Sequence, residues 1–134
     1  MPCYKHLEQL EAYSETPPAI NQVEMHVFLQ QQALRDYCRE HRIVIEAYSP
    51  LAHAKDMDNE AIKSLAQKYS KSYAQIMLRW AIEQEVVVIP KSVSPERIKE
   101  NIDILDFELS KEDMELLERQ DRNLRTCWNP ELVP

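Results

Sequence analysis

Residues 86–101 read VVVIPKSVSPERIKEN. The run from Val86 to Ile89 has the composition of a β-strand buried on both faces. Pro90 closes it, and Lys91, Ser92, Ser94 and Arg97 follow directly. Pro95 suits the first turn of a helix, with Ser94 at its N-cap. A strand that leads two cations and two hydroxyls to a helix start predicts an anion at that place. Lysine supplies a point charge, arginine a planar fork, and the helix N-terminus its dipole and free amides.

The rest of the chain alternates in the same way. YKHLEQLEAYS places Leu7 and Leu10 three apart, a short amphipathic helix that the prolines of ETPP stop. AINQV, residues 19–23, predicts a short strand ending near Gln22. LQQQALRDYCREHR predicts a helix with Leu34, Tyr37 and Cys38 on one face. IVIEAYSP, from Ile43, is a second β-branched strand, cut off by Pro50. Asn59 and Ser72 predict the N-caps of two successive helices, and Ser110 with Asp113 fits a cap for the last one. In the second of the paired helices Met77, Leu78, Trp80 and Ile82 read as core. Glu83, Glu85 and the acidic last helix read as a solvated face. Strands alternating with helices mean a parallel sheet with right-handed crossovers. Three strands leave two open edges, at AINQV and at VVVIP. No linker or repeat divides the chain, so residues 1–134 are expected to form one domain.

The totals narrow the function classes. A net charge of -7 gives no basic excess, so no nucleic-acid partner is expected. No apolar run reaches the ~20 residues that would span a bilayer, and the start MPCYKHLEQL lacks a signal-peptide core. Cys3, Cys38 and Cys127 are odd in number and far apart, which predicts free thiols in a reducing cytoplasm. Cys38 and His41 have a zinc-ligand spacing but no second pair, so a buried thiol and a surface imidazole are expected, with no metal. Glycine is absent altogether. A glycine-rich phosphate loop is therefore excluded, and any phosphate must be held by side chains, ordinary amides and a helix start.

The segments PAINQVEMHVFLQQQALRDYCREH, IVIEAYSPL and VVVIPKSVSPERIKENIDILDFELSKEDMELL, with the closing DRNLR, resemble the aldo-keto reductase family in that family's own order. The resemblance runs from about residue 4 to residue 125 and is sharpest at IPKS with its following Arg and Glu-Asn pair. It implies an α/β fold, part of a (β/α)8 barrel: the last three parallel strands with their covering helices. It also implies NADP(H) as cofactor and a small aldehyde or ketone as substrate. By resemblance Gln22 would hydrogen-bond the nicotinamide carboxamide and Tyr48 would stack on the ring. Ser49 and the backbone at Leu51 would meet the pyrophosphate. Lys91, Ser92, Ser94 and Arg97 would surround the adenosine end and its 2′-phosphate, and Glu100 and Asn101 the adenine. The family's catalytic Asp, Tyr, Lys and His precede the matching segments. None of His6, His26, His41 or His53 matches the catalytic histidine, so no catalytic residue is assigned.

Taken singly, each of these residues has an ordinary reading. Lys91 and Arg97 would be a solvated loop pair, and Tyr48 a core or rim aromatic. Glu24 and His26, two apart at a strand end, read as scaffold around a pocket mouth. The family commonly has glycine where Arg42 and Ala52 stand; where such a position needs a positive φ, a residue with a Cβ costs on the order of 1 kcal/mol. Period-2 alternation turns Val44, Glu46 and Tyr48 to one face and Gln22 and Glu24 likewise, which leaves Lys91 as the expected partner of buried carboxylates. Three functional readings stand side by side. The chain is the cofactor-binding half of an NADPH-dependent carbonyl reductase, a half-barrel that binds nucleotide or another chain without chemistry, or a truncated sequence with no role of its own. Self-association, or pairing with a first half of the barrel, is expected from the open edges.

Overall fold

The computed structural model describes residues 4–133; Cys3, counted above among the thiols, and Pro134 lie outside the described residues. Among the described residues six helices and three strands follow one another: α1 (Lys5–Tyr13), β1 (Ile20–Glu24), α2 (Gln32–Glu40), β2 (Val44–Tyr48), α3 (Glu60–Tyr69), α4 (Tyr73–Glu83), β3 (Val87–Val88), α5 (Pro95–Ile102) and α6 (Lys111–Glu118). Single 3-10 turns stand at Ala52–Ala54 and Pro130–Leu132. The strands form one parallel sheet in the order β1-β2-β3. Gln22 lies opposite Glu46 and Glu24 opposite Tyr48, while Ala47 lies opposite Val88.

Local sequence explains the helix starts. Asn59 accepts from the Ile62 amide, and Ser72 forms a reciprocal capping box with Gln75. Ser94 accepts from the Arg97 amide ahead of Pro95, and Ser110 accepts from the Asp113 amide. All four caps fall where the sequence predicts them. With no glycine, the chain makes its tight turns by forcing other residues into the left-handed region. Arg42 (φ 59°) and Ala52 (φ 52°), where the family commonly has glycine, both do so, and Ser49, His53 and Ala54 extend the pattern through the loop after β2.

The core lies on one face of the sheet. Ile45 and Ala47 point into it against Ile76, Met77 and Trp80 of α4 and Leu34 and Cys38 of α2. Val44 on the opposite face is 45% exposed. Here the reading of residues 86–89 as a strand buried on both faces is corrected. Val86 is buried, but Val87 and Ile89 are 46% and 41% exposed, and the paired strand is only Val87–Val88. Helices cover one side of the sheet and leave the other open, and Pro90 has no amide with which to continue the ladder. Strand β1 also runs two residues past Gln22, so Gln22 sits within the strand and not at its end.

Two acidic residues read as solvated are structural. Glu83 accepts from the Leu109 amide at 3.1 Å and pairs with Arg79. Asp113, buried on α6, accepts from Lys68 at 2.6 Å and from the Tyr69 hydroxyl at 2.5 Å. Cys38 is fully buried and His41 exposed, as the sequence predicts. Arg35 was not foreseen in the core: its Nε donates to the Gln30 carbonyl at 2.9 Å, and its guanidinium lies over the Trp80 ring.

Candidate cofactor site

Two concavities open at the carboxyl ends of the strands. The larger, about 480 Å³, is a groove between the loop after β2 and the start of α5. Leu51, Lys91, Ser92, Ser94, Arg97, Glu100 and Asn101 all line it, with Tyr73 and Met57 on its far wall. Seven of the ten sequence-predicted residues therefore meet in one place. A second hollow of about 240 Å³ contains Gln22 and Tyr48, with Arg125, Trp128 and Pro130 from the tail. Ser49 lines neither; its Oγ stands 2.7 Å from His53 Nε2 and 3.5 Å from Cys127 Sγ.

The groove is electrostatically prepared for an anion. Lys91 and Arg97 are exposed, and neither side chain pairs with a carboxylate among the described residues. Arg97 stands in the first turn of α5, whose dipole is positive at that end, and Lys91 in the loop that leads to it. Two cations beside a positive helix end repel one another unless a negative group joins them. Ser94 and Ser92 shape this turn: Ser92 Oγ accepts from the Ser94 amide at 3.2 Å, and Ser94 Oγ donates to Glu96 at 2.9 Å. Backbone and Ser94 hydrogen bonds hold the Glu96 carboxyl below its ordinary value. Glu100 is anchored by the Ser72 hydroxyl at 2.5 Å, which fixes its carboxylate at the inner wall.

In the smaller hollow the Gln22 amide donates to Glu46 Oε1 at 2.6 Å across the sheet. Burial pushes the Tyr48 hydroxyl above its ordinary value. The expectation that Lys91 serves the inward carboxylates is overturned. Glu46 has Gln22, and buried Glu24 is satisfied by His26, Thr126 and Cys127. Those tail partners were invisible in the sequence, because nothing local links Glu24 to residues 126 and 127. Among the described residues no group of three or more His, Cys, Asp or Glu could hold a metal ion. No helix among them is long and apolar enough to cross a membrane.

A three-stranded parallel sheet with helices between its strands, and with cations, hydroxyls and an aromatic ring gathered at its strand ends, is one segment of a (β/α)8 barrel. The model of the aldo/keto reductase family matches residues 3–122, and the chain belongs to that family. Glyoxal reductase of Bacillus subtilis is 47% identical over 126 residues, which are 94% of this chain and 46% of that protein. Aldose reductase B of Dictyostelium discoideum is 44% identical over 92% of this chain and 40% of its own length. Among solved structures, MGS-M4, an aldo-keto reductase from a Medee basin deep-sea metagenome library, superposes with a TM-score of 0.93 at 41% identity, covering 97% of this chain and 49% of that one. A Gox0644 mutant in complex with NADPH gives 0.88 at 36% identity, with 97% and 48% covered. The chain thus spans about half the length of the relatives it matches.

Proposed function

We propose that this chain is the cofactor-holding part of an NADP(H)-dependent aldo-keto reductase that reduces aldehydes or ketones to alcohols. The observation that carries the reading is the convergence of Lys91, Ser92, Ser94, Arg97, Glu100 and Asn101 on one groove at the N-terminus of α5. The 2′-phosphate is met by Lys91 and Arg97, the adenine by Glu100 and Asn101, and the pyrophosphate by the loop from Ser49 to Leu51. Gln22 and Tyr48 receive the nicotinamide. When bound, the cofactor supplies the hydride; this chain's residues bind it and present one face of its ring. No residue of 1–134 is assigned the proton transfer. Free Cys38 and Cys127 support a cytoplasmic setting. A small carbonyl compound is the proposed partner, with neither nucleic acid nor membrane.

The exposed sheet face favours a second reading, a half-barrel that binds nucleotide or another chain without chemistry. A fluorescence titration with NADPH and NADH tests the first. Saturable binding that prefers NADPH supports it; absence of binding to either nucleotide overturns it.

A further inference from the structure

The segment after α6 has no regular structure between Leu124 and Asn129, yet it forms one wall of the hollow that contains Gln22 and Tyr48. Backbone groups in such a segment need partners from elsewhere. Upstream, the Leu124 amide donates to the Phe28 carbonyl at 2.9 Å. The next attachment is a single side chain. Glu24 Oε1 accepts from the Thr126 amide and the Thr126 hydroxyl, each at 2.6 Å, and Glu24 Oε2 accepts from the Cys127 amide at 3.2 Å. The fourth donor is His26 Nε2 at 3.2 Å, whose tautomer is fixed because Nδ1 accepts from the Phe28 amide. Glu24 is 1% exposed, and both side chains of the Glu24–His26 pair are wholly buried. The residues that flank the fastened pair, Arg125 before it and Trp128 after it, are the ones that line the hollow.

From this geometry we infer that Glu24 is a positioning residue, a latch that holds the tail at Thr126 and Cys127 so that Arg125 and Trp128 wall the nicotinamide end of the site. The inference rests on the cofactor reading above and adds a residue that acts on one end of the cofactor only. The buried carboxylate makes the latch strong, since hydrogen bonds to a charged acceptor exceed neutral ones. It also makes the latch selective. A glutamine there would turn an NH2 group toward donors, and a valine at 126 would remove one bond while leaving the two amides in place.

Two measurements on Glu24→Gln, Thr126→Val and Thr126→Ser decide it. The first is limited trypsin cleavage after Arg125. Glu24→Gln is expected to accelerate it roughly tenfold and Thr126→Val less, with Thr126→Ser close to wild type because the hydroxyl is retained. The second compares NADPH with adenosine 2′,5′-bisphosphate, which lacks the nicotinamide. Glu24→Gln should weaken NADPH roughly tenfold and leave the bisphosphate within about twofold. Unchanged cleavage in folded variants overturns the latch, and so does equal weakening of both ligands or of neither. If the wild type binds neither ligand, the cofactor reading fails, and unchanged or accelerated cleavage still decides whether the latch exists. Thr126→Val keeps the test open should Glu24→Gln not fold.

Discussion

Glu24 Oε1 and the hydroxyl of Thr126 lie 2.6 Å apart although 102 positions separate the two residues in sequence. The contact closes the end of β1 onto the tail, and it makes the packing of this region depend on a carboxylate and an imidazole that water does not reach.

Acid should loosen this closure first. Burial raises the Glu24 carboxyl, but the hydrogen bonds from Thr126, His26 and Cys127 outweigh it and hold the group below its ordinary value. Burial also lowers His26 against the pull of Glu24. Both depressions have the same sign: the unfolded chain binds more protons, so stability is present above the unfolded values and lost as pH falls through the folded ones. The unfolding midpoint is therefore expected to be level between about pH 7 and 8, to decline below about 6.5 as His26 becomes protonatable in the unfolded chain, and to fall further near pH 4. His26→Gln should remove the first decline. Thermal scans at several pH values would show it, and a midpoint that rises between pH 7 and 5 would contradict the assignment.

The 2′-phosphate contact predicts a split between nucleotides. Arg97→Ala should weaken NADPH roughly ten- to hundredfold, the range for one charge-assisted hydrogen bond to phosphate, and leave NADH nearly unchanged. Fluorescence titration of both nucleotides measures this. Equal weakening toward both, or none toward either, would remove Arg97 from the site.

Backbone strain gives a stability prediction independent of function. Arg42 is exposed and sits at φ 59°, where a residue with a Cβ is disfavoured by about 1–2 kcal/mol. Arg42→Gly is expected to raise the unfolding midpoint by a few degrees, while Arg42→Ala should leave it unchanged. If both variants behave alike, the effect belongs to the lost side chain and not to the backbone.

These residues also mark what the sequence could and could not disclose. Asn59, Ser72, Ser94 and Ser110 were legible as caps because a cap is set within four residues. The left-handed turns at Arg42 and Ala52 were legible through the glycine that the family resemblance led one to expect there. The groove at Lys91 and Arg97 was legible because strand end, loop and helix start are contiguous. Glu24 was not, since its partners arrive from the far end of the chain. Asp113 and Glu83 were misread for a related reason: each meets an element distant in sequence, α3 for Asp113 and the loop before α6 for Glu83. The exposure of Val87 and Ile89 was misread because composition reports what a strand is suited to bury, not which face the described residues cover.

Residues 1–134 alone are expected to show no carbonyl reductase activity. General-acid help is typically worth 10²–10⁴-fold, and no group of this chain is assigned that task. NADPH oxidation with a reactive aldehyde, above a control without protein and abolished by Tyr48→Ala, would refute this.

The last prediction concerns assembly. The sheet order leaves β1 and β3 as edges, with Ile20 on one and Val87 on the other, each about half exposed. Beside β3, α5 shows no buried residue, and Ile98, Ile102 and Leu105 are 53%, 74% and 73% exposed. With Val88 and Pro90 they line an apolar hollow of about 480 Å³. An unpaired strand edge recruits other chains, and a contiguous apolar patch beside it strengthens the tendency. The open face of the sheet adds Val44, also half exposed, and the Gln22–Glu46 pair. Residues 1–134 expressed alone are therefore expected to self-associate, with an unfolding midpoint that moves with protein concentration. Joined to the first half of a related barrel, the same residues should give a monomer that unfolds cooperatively. Sedimentation together with thermal unfolding at several concentrations distinguishes the two. A monodisperse monomer with a sharp, concentration-independent transition would show that these edges are satisfied within the chain, and the half-barrel account of them would fall.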